Sequence, residues 1–257
     1  MYPDLFGISG FSMTFMIIVG VIAASILLFF YLHKKGVRSN SILDLSIVIV
    51  SAVFFGVLFA ILVENLYEAI KHSVLGQEQK WTWGMTFYGG LLGGVPAFLL
   101  TYKFYYLRHN EPILKHIVVI APASITLGHA FGRIGCFLSG CCYGIETDAQ
   151  NGVLFPGMDH PVVPTQIIES VFLFTMTVVL ALFAFKFNFS YNFVIYVVFY
   201  GIFRFIIEFF RGDERGQLAG LSPSQYWCIL LLLLAYPLYL LLKKTIVKTD
   251  KERNDEI

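Results

Sequence analysis

Stretches of roughly 20 apolar residues, separated by short polar or charged connections, recur along the 257-residue chain. Nothing else in the sequence restricts the fold as strongly. A helix of that length crosses about 30 Å of hydrocarbon. Seven such blocks read as helical spans, over residues 11–32, 42–63, 86–106, 117–138, 164–185, 191–210 and 224–242. Composition agrees, with 57% hydrophobic and 14% charged residues, where a soluble domain carries about 25% charged. The expectation is an all-α membrane protein, with one polytopic domain over residues 1–243 and a charged tail over 244–257. A net charge of +1 without a basic block gives no footprint for a nucleic-acid partner.

Lysine and arginine set the orientation. One group of connections holds Lys34, Lys35 and Arg38, then Lys103, Arg108 and Lys115, then Lys186, then the tail with Lys243, Lys244, Lys248, Lys251 and Arg253. The other holds Lys71 and Lys80, then residues 145–163 with Glu146, Asp148 and Asp159 but no Lys or Arg, then Arg211 and Arg215. The bias places the N-terminus outside and the C-terminus in the cytoplasm, as an odd span count requires. The opening MYPD lacks a basic segment, so the first span does not read as a secretory signal. Two outward loops exceed a minimal connection. They lie at about 64–84, with Trp81 and Trp83, and at 144–163, rich in Gly and Pro.

Polar chemistry gathers on the outward side. The fourth span ends in GHAFGRIGCFLSGCCYG, and a charge at such depth costs several kcal/mol, which marks a functional site. His129 and Arg133 stand four apart on one helix face. Arg204, Glu208 and Arg211 follow at i, i+4 and i+7. Several guanidiniums at one depth suit bidentate recognition of phosphate; interhelix salt bridges and interfacial snorkelling are the plainer reading. The glycines of TFYGGLLGG, Gly89 and Gly90 among them, either admit a lipid and an anion or let helices approach closely. Cys136, Cys141 and Cys142 have C-x4-C-C spacing, unlike the CxxC pair of a zinc ribbon. Cys136 or Cys141 acting as a nucleophile, a disulfide or metal pair, and simple packing all remain open, and no metal or cofactor is assigned.

GRIGCFLSGCCYG resembles the signature of the prolipoprotein diacylglyceryl transferases, bacterial membrane enzymes whose motif reads approximately GRxGNFxNxExxG. TFYGGLLGG is similar to that family's FHGGLxG block. His160-Pro161 followed by PTQIIES is similar to its HPxQLYE block, and YGIFRFIIEFFRGDERGQLAGLSPSQ to its late arginine block. The resemblance implies a seven-span enzyme of the bacterial cytoplasmic membrane with its site facing outward. Phosphatidylglycerol would be the donor and a lipobox-bearing preprolipoprotein the acceptor. It also implies that Arg133 and Arg204 hold the phosphate, that Arg211 and Glu208 support them, and that Gln166, Glu169, Gly89 and Gly90 belong to the lipid site. Where the family has His, Asn, Asn and Glu, this chain has Tyr88, Cys136, Ser139 and Cys141. Tyr88, Cys136 and Cys141 therefore become candidate catalytic positions, with His129 a candidate base. The alternative is a non-catalytic or redox-linked lipid-handling protein on the same scaffold.

Overall fold

The computed structural model describes residues 11–75, 86–109, 113–148, 150, 152–212 and 220–255. Among them run α1 (Phe11–Lys34), α2 (Ser39–Leu75), α3 (Phe87–His109), α4 (Leu114–Leu138), α5 (Thr165–Phe187), α6 (Asn192–Ile207) and α7 (Pro223–Asp255). A 3-10 turn, Glu208–Phe210, continues α6. By length and composition six stretches among the described residues are apolar enough to cross a membrane, and α3 is not one of them. It has 23 residues, ample for a span, but four glycines, four tyrosines, Lys103 and Arg108 dilute its hydropathy. Large apolar side chains point outward along the helices, such as Ile22, Ile26 and Phe30 on α1, Val171, Val178 and Leu182 on α5, and Leu233 and Leu241 on α7. In water that surface would drive aggregation; against lipid it is the matching one.

Two expected boundaries move. The loop expected from residue 64 is helical as far as Leu75, because α2 continues. Glu64, Leu66, Glu68, Ala69 and Ile70 are good or tolerable helix formers, so the helix outlasts the apolar block that hydropathy detects. Trp81 and Trp83 lie outside the described residues. The charged segment from residue 244 is likewise helical to Asp255. The chain divides into two compact units, one of Met1–Tyr31 with Leu114–Ile257, the other Leu32–Ile113.

The smaller unit is the α2–α3 pair. A Cβ on Gly89 would stand 2.5 Å from the Phe59 carbonyl oxygen and 2.7 Å from Ala60 Cα, so the contact between these helices requires glycine there. Thr86 ties the start of α3 to α2: its backbone N–H and its hydroxyl both donate to the Ala60 carbonyl at 3.3 Å. Farther along, the Ser51 and Thr101 hydroxyls share a hydrogen bond of 3.0 Å.

The larger unit packs α4, α5, α6 and α7, with α1 alongside. A Cβ on Gly20 of α1 would stand 2.8 Å from the Gly128 carbonyl oxygen of α4. Buried hydrogen bonds fix the relative heights of the helices. Ser170 donates to the Ala130 carbonyl at 3.1 Å, and the Thr126 and Thr177 hydroxyls pair at 2.9 Å. Asn192, at the start of α6, donates to the carbonyls of Val119 at 2.8 Å and Leu180 at 3.1 Å. The short link after α5 turns on Asn188 in the left-handed region, φ 48°. Its side-chain oxygen accepts from Tyr31 Oη at 3.1 Å.

Candidate active site

Three helices of the larger unit converge on one carboxylate. Glu169, in the second turn of α5, is 1% exposed. Its Oε1 meets Arg133 Nη2 of α4 at 3.1 Å, accepts a hydrogen bond from Tyr200 Oη of α6 at 3.0 Å, and lies 3.8 Å from His129 Nε2. The His129 and Tyr200 rings meet edge to face at 5.3 Å. An unpaired carboxylate buried like this would cost several kcal/mol; a guanidinium and a phenol offset that penalty. Arg204 is close enough for its charge to act on both Glu169 and His129. The two arginines are thus brought to one neighbourhood.

Local sequence explains the placement. On α4, His129, Arg133 and Cys136 occupy i, i+4 and i+7. On α6 and the 3-10 turn that continues it, Tyr196, Tyr200, Arg204 and Glu208 repeat every fourth residue, a spacing that stacks side chains on one helix face. Arg204 Nη1 lies 2.6 Å from Glu208 Oε2, yet neither atom has an aligned hydrogen bond. The contact is therefore an ion pair held by charge more than by direction. Glu208 Oε1 accepts from Ser222 Oγ at 2.8 Å. Ser222 also opens α7: its N–H donates to Gln225 Oε1 at 2.9 Å and its Oγ accepts from Gln225 N–H at 3.3 Å. This is a reciprocal capping box, so the cap that starts α7 also steadies the acid beside Arg204. Arg133 Nε, Ser139 Oγ and Gln166 Oε1 are buried without a hydrogen-bond partner among the described residues.

Beyond α4 the chain turns sharply. Gly140 sits in the left-handed region, φ 69°. Its N–H donates to the Phe137 carbonyl, and the Cys141 N–H donates to the Cys136 carbonyl, both at 3.1 Å. These are the paired bonds of a Schellman cap. Cys142 also has positive φ, 66°, an uncommon conformation for a residue with a Cβ. Two side chains from the start of α5 hold it. Gln166 Nε2 donates to the Cys141 carbonyl at 2.6 Å and Thr165 Oγ1 to the Cys142 carbonyl at 3.0 Å. The turn folds Cys136, Cys141 and Cys142 together, their sulfurs all within 4.8 Å of one another. None is in a disulfide. Hydrogen bonds from Cys136 and Cys141, with the Arg211 guanidinium beside it, hold the Cys142 thiol well below its ordinary range. Hydrogen bonding to Cys136 and Cys142 pushes the Cys141 thiol up.

The outward loop is stitched to the end of α6. Gly144 N–H donates to Val163 at 2.8 Å, Val163 N–H to Ile145 at 3.0 Å and Ile145 N–H to Phe210 at 2.9 Å. An antiparallel bridge joins Gly144 to Arg211, which brings Arg211 to Cys142. A cleft of about 310 Å³ opens over this loop, lined by Tyr143, Glu146, Met158, Asp159 and His160 among others.

Of the residues singled out from the sequence, His129, Arg133, Glu169, Arg204 and Glu208 are gathered; Arg211, expected on the Arg204 helix face at i+7, lies past the helix end in extended backbone and joins the cysteine turn instead. Gln166 anchors that turn and Glu169 holds Arg133. Gly89 and Gly90 lie on α3, where packing against α2 accounts for Gly89. Tyr88 is on the same helix, its side chain outside the described residues. Sequence reasoning missed Tyr200, Thr165 and Ser222. Tyr200 had a signal, since it precedes Arg204 by four residues; the roles of Thr165 and Ser222 depend on which turns meet.

Fold and site define a multi-pass helical membrane protein with a buried guanidinium–carboxylate centre. The family model for prolipoprotein diacylglyceryl transferase matches residues 5–241, and the chain belongs to that family. It is 35% identical over 233 residues to the phosphatidylglycerol–prolipoprotein diacylglyceryl transferase of Clostridium tetani, covering 87% of this chain and 89% of that one. It is 30% identical over 243 residues to transferase 2 of that name from Clostridium perfringens, covering 92% of each. The Geobacter sulfurreducens transferase is 35% identical over 243 residues, covering 88% of this chain and 85% of the relative.

Proposed function

We propose that this chain transfers the diacylglyceryl group of phosphatidylglycerol to the cysteine thiol of a prolipoprotein, at the outer side of a bacterial cytoplasmic membrane. The observation that carries the reading is the convergence of His129 and Arg133 on Glu169, with the Arg204–Glu208 pair on the neighbouring helix, inside the segments that resemble the family's blocks. In the reaction the thiol loses its proton and its sulfur forms a bond to the glyceryl carbon. The carbon–oxygen bond to phosphate breaks, and glycerol phosphate leaves with the electron pair. Charge builds on the phosphate oxygens as that bond breaks, so preorganised cations there lower the barrier.

Arg133 and Arg204 are assigned to the phosphate, with Arg211 in support. Arg133 Nε is a buried donor with no hydrogen bond to another described residue, which suits an incoming oxygen. Glu169 would repel a phosphate, so its part is to orient Arg133. Gln166 acts by anchoring the cysteine turn. His129 accepts the thiol proton, and the imidazolium so formed faces Glu169. Tyr88 remains a candidate beside the lipid on the strength of its place in the family's block. The purified protein, given labelled phosphatidylglycerol and a lipobox peptide, yields a peptide heavier by one diacylglyceryl group and releases glycerol phosphate. If mass spectrometry finds neither product, the transferase reading fails, and the thiol-linked lipid-handling alternative takes its place.

A further inference from the structure

The C-x4-C-C spacing argues against a zinc ribbon, but the Schellman turn changes the geometry those cysteines can adopt. We propose that Cys136, Cys141 and Cys142 form a three-thiolate site for a soft tetrahedral divalent ion of the zinc class, with the fourth position open to an acceptor thiol. The claim for the fourth ligand rests on the transfer reading above; the claim for the metal does not.

Three observations support it. First, the sulfurs lie within 4.8 Å of one another. Zinc–sulfur bonds of about 2.3 Å at tetrahedral angles put ligand sulfurs about 3.8 Å apart, so small rotations about the Cα–Cβ bonds close the site. Second, the turn is held before any ligand arrives. Gly140 supplies the left-handed closure, and Gln166 and Thr165 fasten the Cys141 and Cys142 carbonyls. A turn with its backbone already fastened loses little freedom on binding an ion. Third, the charges match. Three thiolates on a divalent ion leave one net negative charge, and a fourth thiolate leaves two. Arg133 acts on Cys136 and Cys142, and Arg211 acts on Cys142, so cations face the cluster from α4 and from the end of α6. Cys141 is exposed while Cys136 is buried, so the cluster is open to an incoming ligand on one side.

Binding there follows ordinary ligand exchange. The acceptor thiol gives its proton to His129, the base assigned above, its sulfur bonds to the metal, and a metal-bound water leaves. A metal-held thiolate is a nucleophile at neutral pH. The family's carboxylate position, Cys141 here, thereby becomes a ligand in place of an acid.

The test uses the full chain in detergent, loaded with Co2+ as a spectroscopic stand-in for Zn2+. One Co2+ per chain is expected, with a thiolate-to-metal charge-transfer band and the intense visible absorption of tetrahedral cobalt. Cys142→Ser should weaken binding roughly 100-fold or more, while Cys228→Ser leaves it unchanged. Should a ligand variant fail to insert, wild-type protein still decides: metal must protect Cys136, Cys141 and Cys142 from alkylation, read by mass spectrometry. No band and no protection overturn the metal site, whatever the lipid-transfer assay gives. A lipobox peptide should shift the cobalt spectrum and its Cys→Ser counterpart should not. Metal binding without that shift overturns the fourth-ligand assignment and leaves the transferase reading to its own assay.

Discussion

Arg133 Nη2 and Glu169 Oε1 form a buried ion pair of 3.1 Å, joining α4 to α5 where the charged residue of each would otherwise face an apolar interior. Removing one partner strands the other. Glu169→Ala is therefore expected to destabilise the protein by about 3–5 kcal/mol. Its thermal midpoint in detergent, followed by tryptophan fluorescence, should fall well below that of the parent. A midpoint equal to wild type would mean that the pair is not buried as described.

Arg133→Ala and Arg204→Ala are expected to abolish lipid turnover while the protein still inserts. Arg204→Lys is the sharper variant. It keeps the charge but loses the planar fork that meets phosphate oxygens in pairs. Turnover should fall by roughly 10- to 100-fold, the effect of losing one preorganised interaction of about 1.4–2.8 kcal/mol. Full activity in Arg204→Lys would show that only the charge matters; full activity in both alanine variants would defeat the phosphate assignment.

Tyr200→Phe deletes one hydroxyl and keeps the ring against His129. The lost hydrogen bond to a carboxylate is worth about 1.5–3 kcal/mol. Because Glu169 orients Arg133, the loss should lower kcat by roughly 10-fold with little change in KM for phosphatidylglycerol. A change in KM alone, measured in mixed micelles, would instead place Tyr200 in ground-state binding.

Gly89→Ala should loosen the α2–α3 contact, since the added carbon meets the Phe59 carbonyl and Ala60 Cα. Overpacking of this kind costs about 1–3 kcal/mol. Gly132→Ala, where a Cβ meets nothing within 4 Å, should be neutral or slightly stabilising, as alanine favours helix more than glycine does. Equal melting temperatures for the two variants would remove the packing explanation for Gly89.

The helices were legible because bilayer thickness and helical rise dictate block length, and six of the blocks remain as apolar crossing stretches. The expected boundaries were weaker where hydropathy and helix propensity part company, as after Glu64 and after Lys244. Single-helix relationships were also legible. The four-residue spacing of His129 and Arg133, and of Arg204 and Glu208, follows from 3.6 residues per turn.

Sequence by itself determined the class of protein, the membrane as its solvent, and which charged side chains share a helix face, since these depend on local periodicity and transfer energy. Tertiary structure alone decided that Glu169 meets Arg133 and Tyr200, residues 36 and 31 positions away, and that three cysteines form a triangle. Those contacts depend on which faces of α4, α5 and α6 turn toward one another, and packing settles that only after each helix has formed.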